Sequence, residues 1–291
     1  MNMLGVSVIF GSFAMIGWGL SDFLSKGIVG RIGVYRLVLY TEILGILPFT
    51  LFIFVGDAPW SANISGIKLA FLSGIVHVVT MFSFYSAVRL GKLSLVSPIN
   101  ASWGIVPIMI SILFLGEKLR FSDSILISII VLGVMMISLH PGRDQKQKQN
   151  LALLLALISA LAAGLNGIIL KFVALEIGQI NAVFYLKLFD LILVSPGFLL
   201  LSQRPQSTPR DINPRQWSIL IVIGILVTAA YLAYVKGLTQ GYISIVSPVA
   251  AVSPVVTVVL AGILLKERIR IHQGIGVAMV LVSVILLSAL S

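Results

Sequence analysis

A chain of 291 residues, 58% of them hydrophobic and 10% charged, with mean hydropathy +1.09, falls far below the roughly 25% charged residues of an ordinary soluble domain and excludes a water-facing globule. Zero cysteines exclude disulfides and thiolate chemistry. The formal charge of +10 would point to nucleic acid in a soluble protein, but here the cations mark the ends of apolar segments and read as topology signals.

Apolar runs follow one another at 4–25, 33–56, 66–88, 93–115, 122–140, 150–172, 179–202, 215–236, 242–265 and 272–290. Each approaches the roughly 20 residues that about 30 Å of hydrocarbon requires. None alternates like a barrel strand, and lipid offers backbone groups no partner, so the spacing predicts ten transmembrane helices. The first run lacks a positive leader region and is too long for a cleaved signal, so it is expected to remain as a helix. The loops are short, with 57–65 and 203–214 slightly longer. The most polar run, 143–150, is a connection, which leaves no room for a separate catalytic module.

The chain repeats itself. At an offset of 150, Gly91, Ser94, Val96, Ser97, Pro98, Ala101, Val106, Leu115, Glu117 and Arg120 match Gly241, Ser244, Val246, Ser247, Pro248, Ala251, Val256, Leu265, Glu267 and Arg270. Gly74 matches Gly224 at the same offset. Glu42 and Pro48 match Asp190 and Pro196 at 148, and Gly19, Leu20 and Lys26 match Gly164, Leu165 and Lys171 at 145. Five helices are therefore duplicated, as repeats 1–145 and 146–291. Because five is odd, the second copy enters the membrane from the opposite side. Inverted repeats of this kind recur in secondary transporters, with a site near the midplane.

Gly17-Trp18-Gly19 ending in Lys26, Arg36 on helix two, and the paired motifs Leu115-Gly116-Glu117-Lys118-Leu119 and Leu265-Lys266-Glu267-Arg268-Ile269 together resemble the EamA domain of the drug/metabolite transporter superfamily. The resemblance covers both halves. Pro254 fits the family pattern. Its first-half counterpart is Gly104, with a proline at Pro107 instead, which points to a displaced break in helix four. The second half has Phe184, with Lys187 nearby, where an equivalent of Arg36 would fall. The resemblance implies a ten-helix transporter whose cavity is lined mainly by helices one, three, four, six, eight and nine.

Ionisable groups inside hydrocarbon cost roughly 2.5 to 3.5 kcal/mol or more, so they persist with a partner or a role. Glu42 and Asp190 occupy matching places in helices two and seven and are the candidate ion-coupling residues. Lys187, three residues before Asp190 on the same helical face, is its expected partner. Glu42 has no basic residue at helical spacing. Either a tertiary partner such as Arg36 or Lys26 holds it ionised, or it stands unpaired, where desolvation disfavours its charge and suits it to proton coupling. Lys26 and Lys171 suit helix C-termini, and Asp22 precedes Lys26 by four. Arg36 could meet an anionic group or anchor the interface.

Candidate substrate-binding residues are Trp18, His77, Asn100, Trp103, Tyr231 and Tyr234. Ser97, Asn100, Gly104, Pro107 and Ser111 share one side of helix four, and Ser247, Ala250, Pro254, Thr257 and Ala261 match them on helix nine. Small residues permit close packing, whereas proline frees carbonyls that a neighbour, water or substrate must satisfy. His77, Thr80, Phe84 and Tyr85 on helix three and Thr228, Tyr231 and Tyr234 on helix eight serve either packing or a cavity wall. The aromatics among them could hold organic groups, cations included. Glu117 and Glu267 read as structural turns.

No helix carries a His-x-x-x-His pair or a Walker motif, so no metal, cofactor or intrinsic ATP drive is expected. The leading reading is a secondary transporter, exporter or exchanger, of a small organic metabolite or drug-like solute. A non-transporting scaffold or lipid-handling protein is the alternative, and a membrane enzyme would need a constellation that is absent. Expected partners are a small-molecule substrate and the lipid bilayer, with no nucleic acid and homodimerisation left open. The setting is a multi-pass cell-membrane location with both termini on one side. Which side is a conflict: cytoplasmic termini would leave five cations on inside loops and fourteen outside, so the charge rule favours both termini outside, whereas the resemblance implies both inside.

Overall fold

The computed structural model describes residues 3–55, 61, 63–91, 96, 99–138, 146–202, 212–264 and 271–289. They form ten helices and, among the described residues, no strand. The first five are α1 (Met3–Ile32), α2 (Val34–Val55), α3 (Ile64–Leu90), α4 (Ile99–Phe114, interrupted by a 3₁₀ turn at Ser102–Gly104) and α5 (Phe121–Ser138). Then come α6 (Lys146–Ile177), α7 (Gln179–Ser202), α8 (Pro214–Gln240), α9 (Ile243–Ala251 continued by Ser253–Leu264) and α10 (Ile271–Ala289). Five stretches, Met3–Ile32, Ile64–Leu90, Asn150–Ile177, Gln179–Gly197 and Pro214–Gln240, are long and apolar enough to cross a membrane.

Polarity is distributed inside out relative to a soluble protein. Phe13, Leu113, Phe114, Leu132 and Ile285 point outward, while Glu42, Lys187 and Asp190 are fully buried. An apolar exterior around a charged interior is what a hydrocarbon solvent selects.

The two halves are inverted repeats, and the packing shows it. α3 lies along α6 and α1 along α8, and α3 meets α7 as α2 meets α8. α4 packs on α9, α5 on α10 and α2 on α7, each against its own counterpart. Exchanging one with six, two with seven, and so on to five with ten, leaves this pattern unchanged, as a two-fold relation requires.

Single contacts obey the same exchange. A β-carbon on Gly19 would lie 2.5 Å from Val256 Cβ and 2.6 Å from the Ser253 carbonyl. One on its counterpart Gly164 would lie 2.5 Å from Val106 Cβ and 2.7 Å from the Trp103 carbonyl. Gly33 alone links α1 to α2 and Gly178 alone links α6 to α7, at φ +85° and +84°, the left-handed region that only glycine adopts without cost. Asn63 and Asn213, 150 apart, each accept a backbone N–H at the start of α3 and α8.

The break in α4 is not displaced to Pro107. It falls at Ser102–Gly104, whose first residue corresponds at offset 150 to Val252, the residue at which α9 is interrupted. The reason is that a helix tolerates proline in its first turn, where the missing N–H has no intrahelical acceptor. Pro107 and Pro254 both sit in the first turn of the segment after the break.

Candidate functional site

Four helices bring ionisable side chains to one buried cluster. Glu42 from α2 meets Lys187 from α7, with Lys187 Nζ 3.0 Å from Oε1 and 2.9 Å from Oε2. Asp190, one turn further along α7, places Oδ2 2.5 Å from His77 Nδ1 on α3. The other ring nitrogen, His77 Nε2, lies 2.8 Å from the Tyr231 hydroxyl of α8. Lys187 Nζ also stands 5.3 Å from the centre of the Tyr231 ring. Asp190 Oδ1 is buried and has no hydrogen-bond partner among the described residues.

This corrects two expectations. Lys187 pairs with Glu42, not with Asp190. Helical spacing puts Lys187 and Asp190 on one face of α7, but α2 and α3 both pack on that helix, and α2 brings Glu42 to Lys187 while α3 brings His77 to Asp190. Glu42 is therefore neither unpaired nor held by Arg36 or Lys26. Lys26 donates instead to the Val88 carbonyl at 3.4 Å, and not to Asp22.

An aromatic group adjoins the charges. Trp18 of α1 has its ring centre 5.2 Å from Tyr231, 5.3 Å from Tyr234 and 5.8 Å from Trp103 of α4. Trp103 is 5.6 Å from Tyr234, edge to face, and His77 is 5.0 Å from Tyr231. The Tyr234 hydroxyl lies 3.0 Å from Ser247 Oγ. Five of the six candidate binding residues thus form one continuous chain of contacts, with His77 joined through Tyr231. The sixth, Asn100, is engaged by α6, with Oδ1 2.7 Å from Ser159 Oγ, which also reaches the Thr80 carbonyl at 3.0 Å.

Other polar residues hold the frame. Thr228 donates to the Gly45 carbonyl at 3.3 Å and Thr257 to the Gly19 carbonyl at 3.2 Å. Ser73 bonds Asn166 at 2.6 Å across α3 and α6. A β-carbon on Gly104 would lie 2.9 Å from Ala251 Cβ, so there the small-residue stripes of α4 and α9 serve close packing. Ser97, Pro98, Glu267 and the side chain of Ala261 lie outside the described residues.

Two features escaped sequence reasoning. One is Lys187 as the partner of Glu42, for which the only signal was the absence of any basic residue at helical spacing from Glu42. The other is Glu117, which is more than a turn residue. It accepts from the Ile243 and Ser244 N–H groups at 3.0 Å each and from Ser244 Oγ at 2.6 Å, capping α9 from the α4–α5 connection. Lys171 faces it at 4.0 Å. Among the described residues no group of three or more His, Cys, Asp or Glu side chains is placed to hold a metal.

A duplicated, inverted ten-helix bundle with charges sealed at the contact of its halves is a multi-pass membrane protein of the transporter type. The model of the EamA-like transporter family matches residues 5–139 and again 150–289. The chain belongs to the EamA-like transporter family, within the drug/metabolite transporter superfamily. It is 26% identical over 134 residues to an uncharacterized transporter of Sinorhizobium sp., covering 93% of that relative with 46% of this chain, about one repeat. It is 35% identical over 68 residues to an uncharacterized protein of Methanocaldococcus jannaschii, covering 23% of this chain and half of that relative's length. A solved crystal structure shares the fold with TM-score 0.78 at 15% identity, over 98% of this chain and 99% of that one.

Proposed function

We propose that this protein moves a small organic solute by alternating access of its halves, 1–145 and 146–291. In this reading Glu42 and Asp190 are the ion-coupling carboxylates, and Trp18, His77, Asn100, Trp103, Tyr231 and Tyr234 form the substrate site. One observation carries it: the acidic residues at matching positions of the two copies meet in one buried cluster beside the aromatic group. A carboxylate held away from water responds strongly to any change of partner. Two inverted copies of one packing pattern supply two tilts of similar energy, one open to each side. A solute or proton that replaces a partner in the cluster biases one tilt over the other, which is the minimum that coupling requires.

A scaffold or lipid-handling role gives no use to a buried ion pair, Glu42 with Lys187, and a buried carboxylate–imidazole contact, Asp190 with His77, at the contact of the repeats. Flux in proteoliposomes with and without a proton gradient tests the proposal. Asp190→Asn is the informative variant, because Glu42→Gln also strands Lys187. Asp190→Asn is expected to abolish gradient-driven flux while preserving solute exchange at equal concentrations. Unchanged gradient dependence in that variant would refute the coupling role.

A further inference from the structure

The centre of this molecule already holds an alkylammonium ion, and it belongs to the protein. Lys187 Nζ sits 2.9 Å from a Glu42 carboxylate oxygen and 5.3 Å from the Tyr231 ring centre, with 1% of the side chain exposed. A carboxylate on one side and an aromatic face on the other is how proteins recognise organic ammonium groups. Resting on the transport reading above, we infer that Lys187 occupies a subsite for an organic ammonium ion formed by Glu42 and the Tyr231 ring, and that a cationic substrate enters by displacing it.

Two further observations support displacement. Asp190, three residues along the same face of α7, keeps Oδ1 without a hydrogen-bond partner among the described residues, so a displaced Lys187 has a second carboxylate within reach of its own helix. The charges also leave room for another cation. Nδ1–H of His77 donated to Asp190, with the Tyr231 O–H donated to Nε2, satisfies a neutral imidazole completely. With Glu42 and Asp190 both ionised, two carboxylates then face one ammonium. A substrate cation on Glu42, with Lys187 moved to Asp190, pairs every charge. Trp18, in contact with the Tyr231 ring at 5.2 Å, is placed to meet the apolar body of such a ligand.

The test holds the ligand body constant and varies its charge. 2-Phenylethylammonium, 2-phenylethanol and phenylacetate are titrated into the purified full chain in nanodiscs, with binding read by calorimetry. The ammonium ion is expected to bind at least about tenfold more tightly than the alcohol, and phenylacetate more weakly than either. Lys187→Met, which vacates the subsite, is expected to tighten ammonium binding by about tenfold while leaving the alcohol unchanged. Equal binding of ammonium and alcohol in the wild type, or a preference for phenylacetate, overturns the inference. So does a folded Lys187→Met with unaltered ammonium affinity.

If Lys187→Met fails to fold, Tyr231 variants decide. Tyr231→Phe keeps the ring and is expected to keep the ammonium preference, whereas Tyr231→Leu is expected to lose it. The reverse order, or equal behaviour, overturns the subsite. Equilibrium binding is independent of flux. Ammonium binding without any solute flux would sink the transport reading alone, and flux of other solutes without ammonium binding would sink the subsite alone.

Discussion

Glu42 and Lys187, 145 residues apart and in opposite repeats, close a buried ion pair at 2.9 Å with neither side chain more than 1% exposed. Water screens neither charge, so each depends on the other, and the pair ties α2 of one repeat to α7 of the other. Removing one member of a buried pair typically costs about 3 to 5 kcal/mol because the other is left uncompensated, whereas replacing both costs far less. Glu42→Gln and Lys187→Met are each expected to lower the apparent melting temperature, and the double variant to recover most of the loss. Thermal denaturation followed by circular dichroism measures this, and additive losses in the double variant would contradict it.

The chain Asp190–His77–Tyr231 is expected to show unequal sensitivity along its length. Tyr231→Phe removes one hydroxyl hydrogen bond to Nε2 and keeps the ring, a loss of about 0.5 to 1.5 kcal/mol. His77→Phe leaves the buried Asp190 carboxylate without its partner and is expected to cost about 3 kcal/mol or more. Unfolding of the two variants side by side checks the order.

Glu117 holds the start of α9 through three hydrogen bonds, and Ile243 and Ser244 are fully buried, so no water replaces it. Glu117→Ala leaves those donors unsatisfied, at about 1 to 3 kcal/mol for each buried group. Amide hydrogen exchange at Ile243 and Ser244 is expected to accelerate in the variant, ahead of the amides in the middle of α8. Uniform acceleration would argue against a local cap.

Gly19 and Gly164 are close-approach points between the halves. Alanine at either would place Cβ 2.5 to 2.7 Å from a valine Cβ and a backbone carbonyl oxygen, and overpacking of this kind costs about 1 to 3 kcal/mol. The two variants are expected to destabilise to similar extents because their surroundings are related by the repeat. Gly27→Ala meets nothing within 4 Å and is expected to be neutral or to stabilise α1 by up to about 1 kcal/mol. Melting temperatures of the three variants check the contrast.

Much of the architecture was written along the chain. Ten apolar runs, the in-register identities at offsets of 145 to 150 and the odd number of helices per copy required two inverted five-helix repeats. Hydrocarbon thickness and backbone hydrogen bonding act locally on each segment, so no tertiary information was needed. The aromatic group was also legible. Tyr231 and Tyr234 stood out as rings three apart on one helical face, and Trp18 and Trp103 as aromatics on segments that the family resemblance implies line the cavity. The fold places the Trp18 ring centre 5.2 to 5.8 Å from the other three.

The pairing of charges was not legible. Sequence spacing offered Lys187 to Asp190 through one turn of α7, yet the helix presents both residues to neighbours whose angle and height no local rule fixes. α2 carries Glu42 to Lys187, and α3 carries His77 to Asp190. The duplication did not foretell this, because His77 has Val227 and Lys187 has Leu39 at the matching positions. Glu117 was hidden for the same reason: its acceptors serve a helix 126 residues away. Sequence alone set the helices, their number and their inversion, since each follows from what one segment must do in lipid. Only the tertiary structure decided which buried charges meet, since that depends on how separate helices cross.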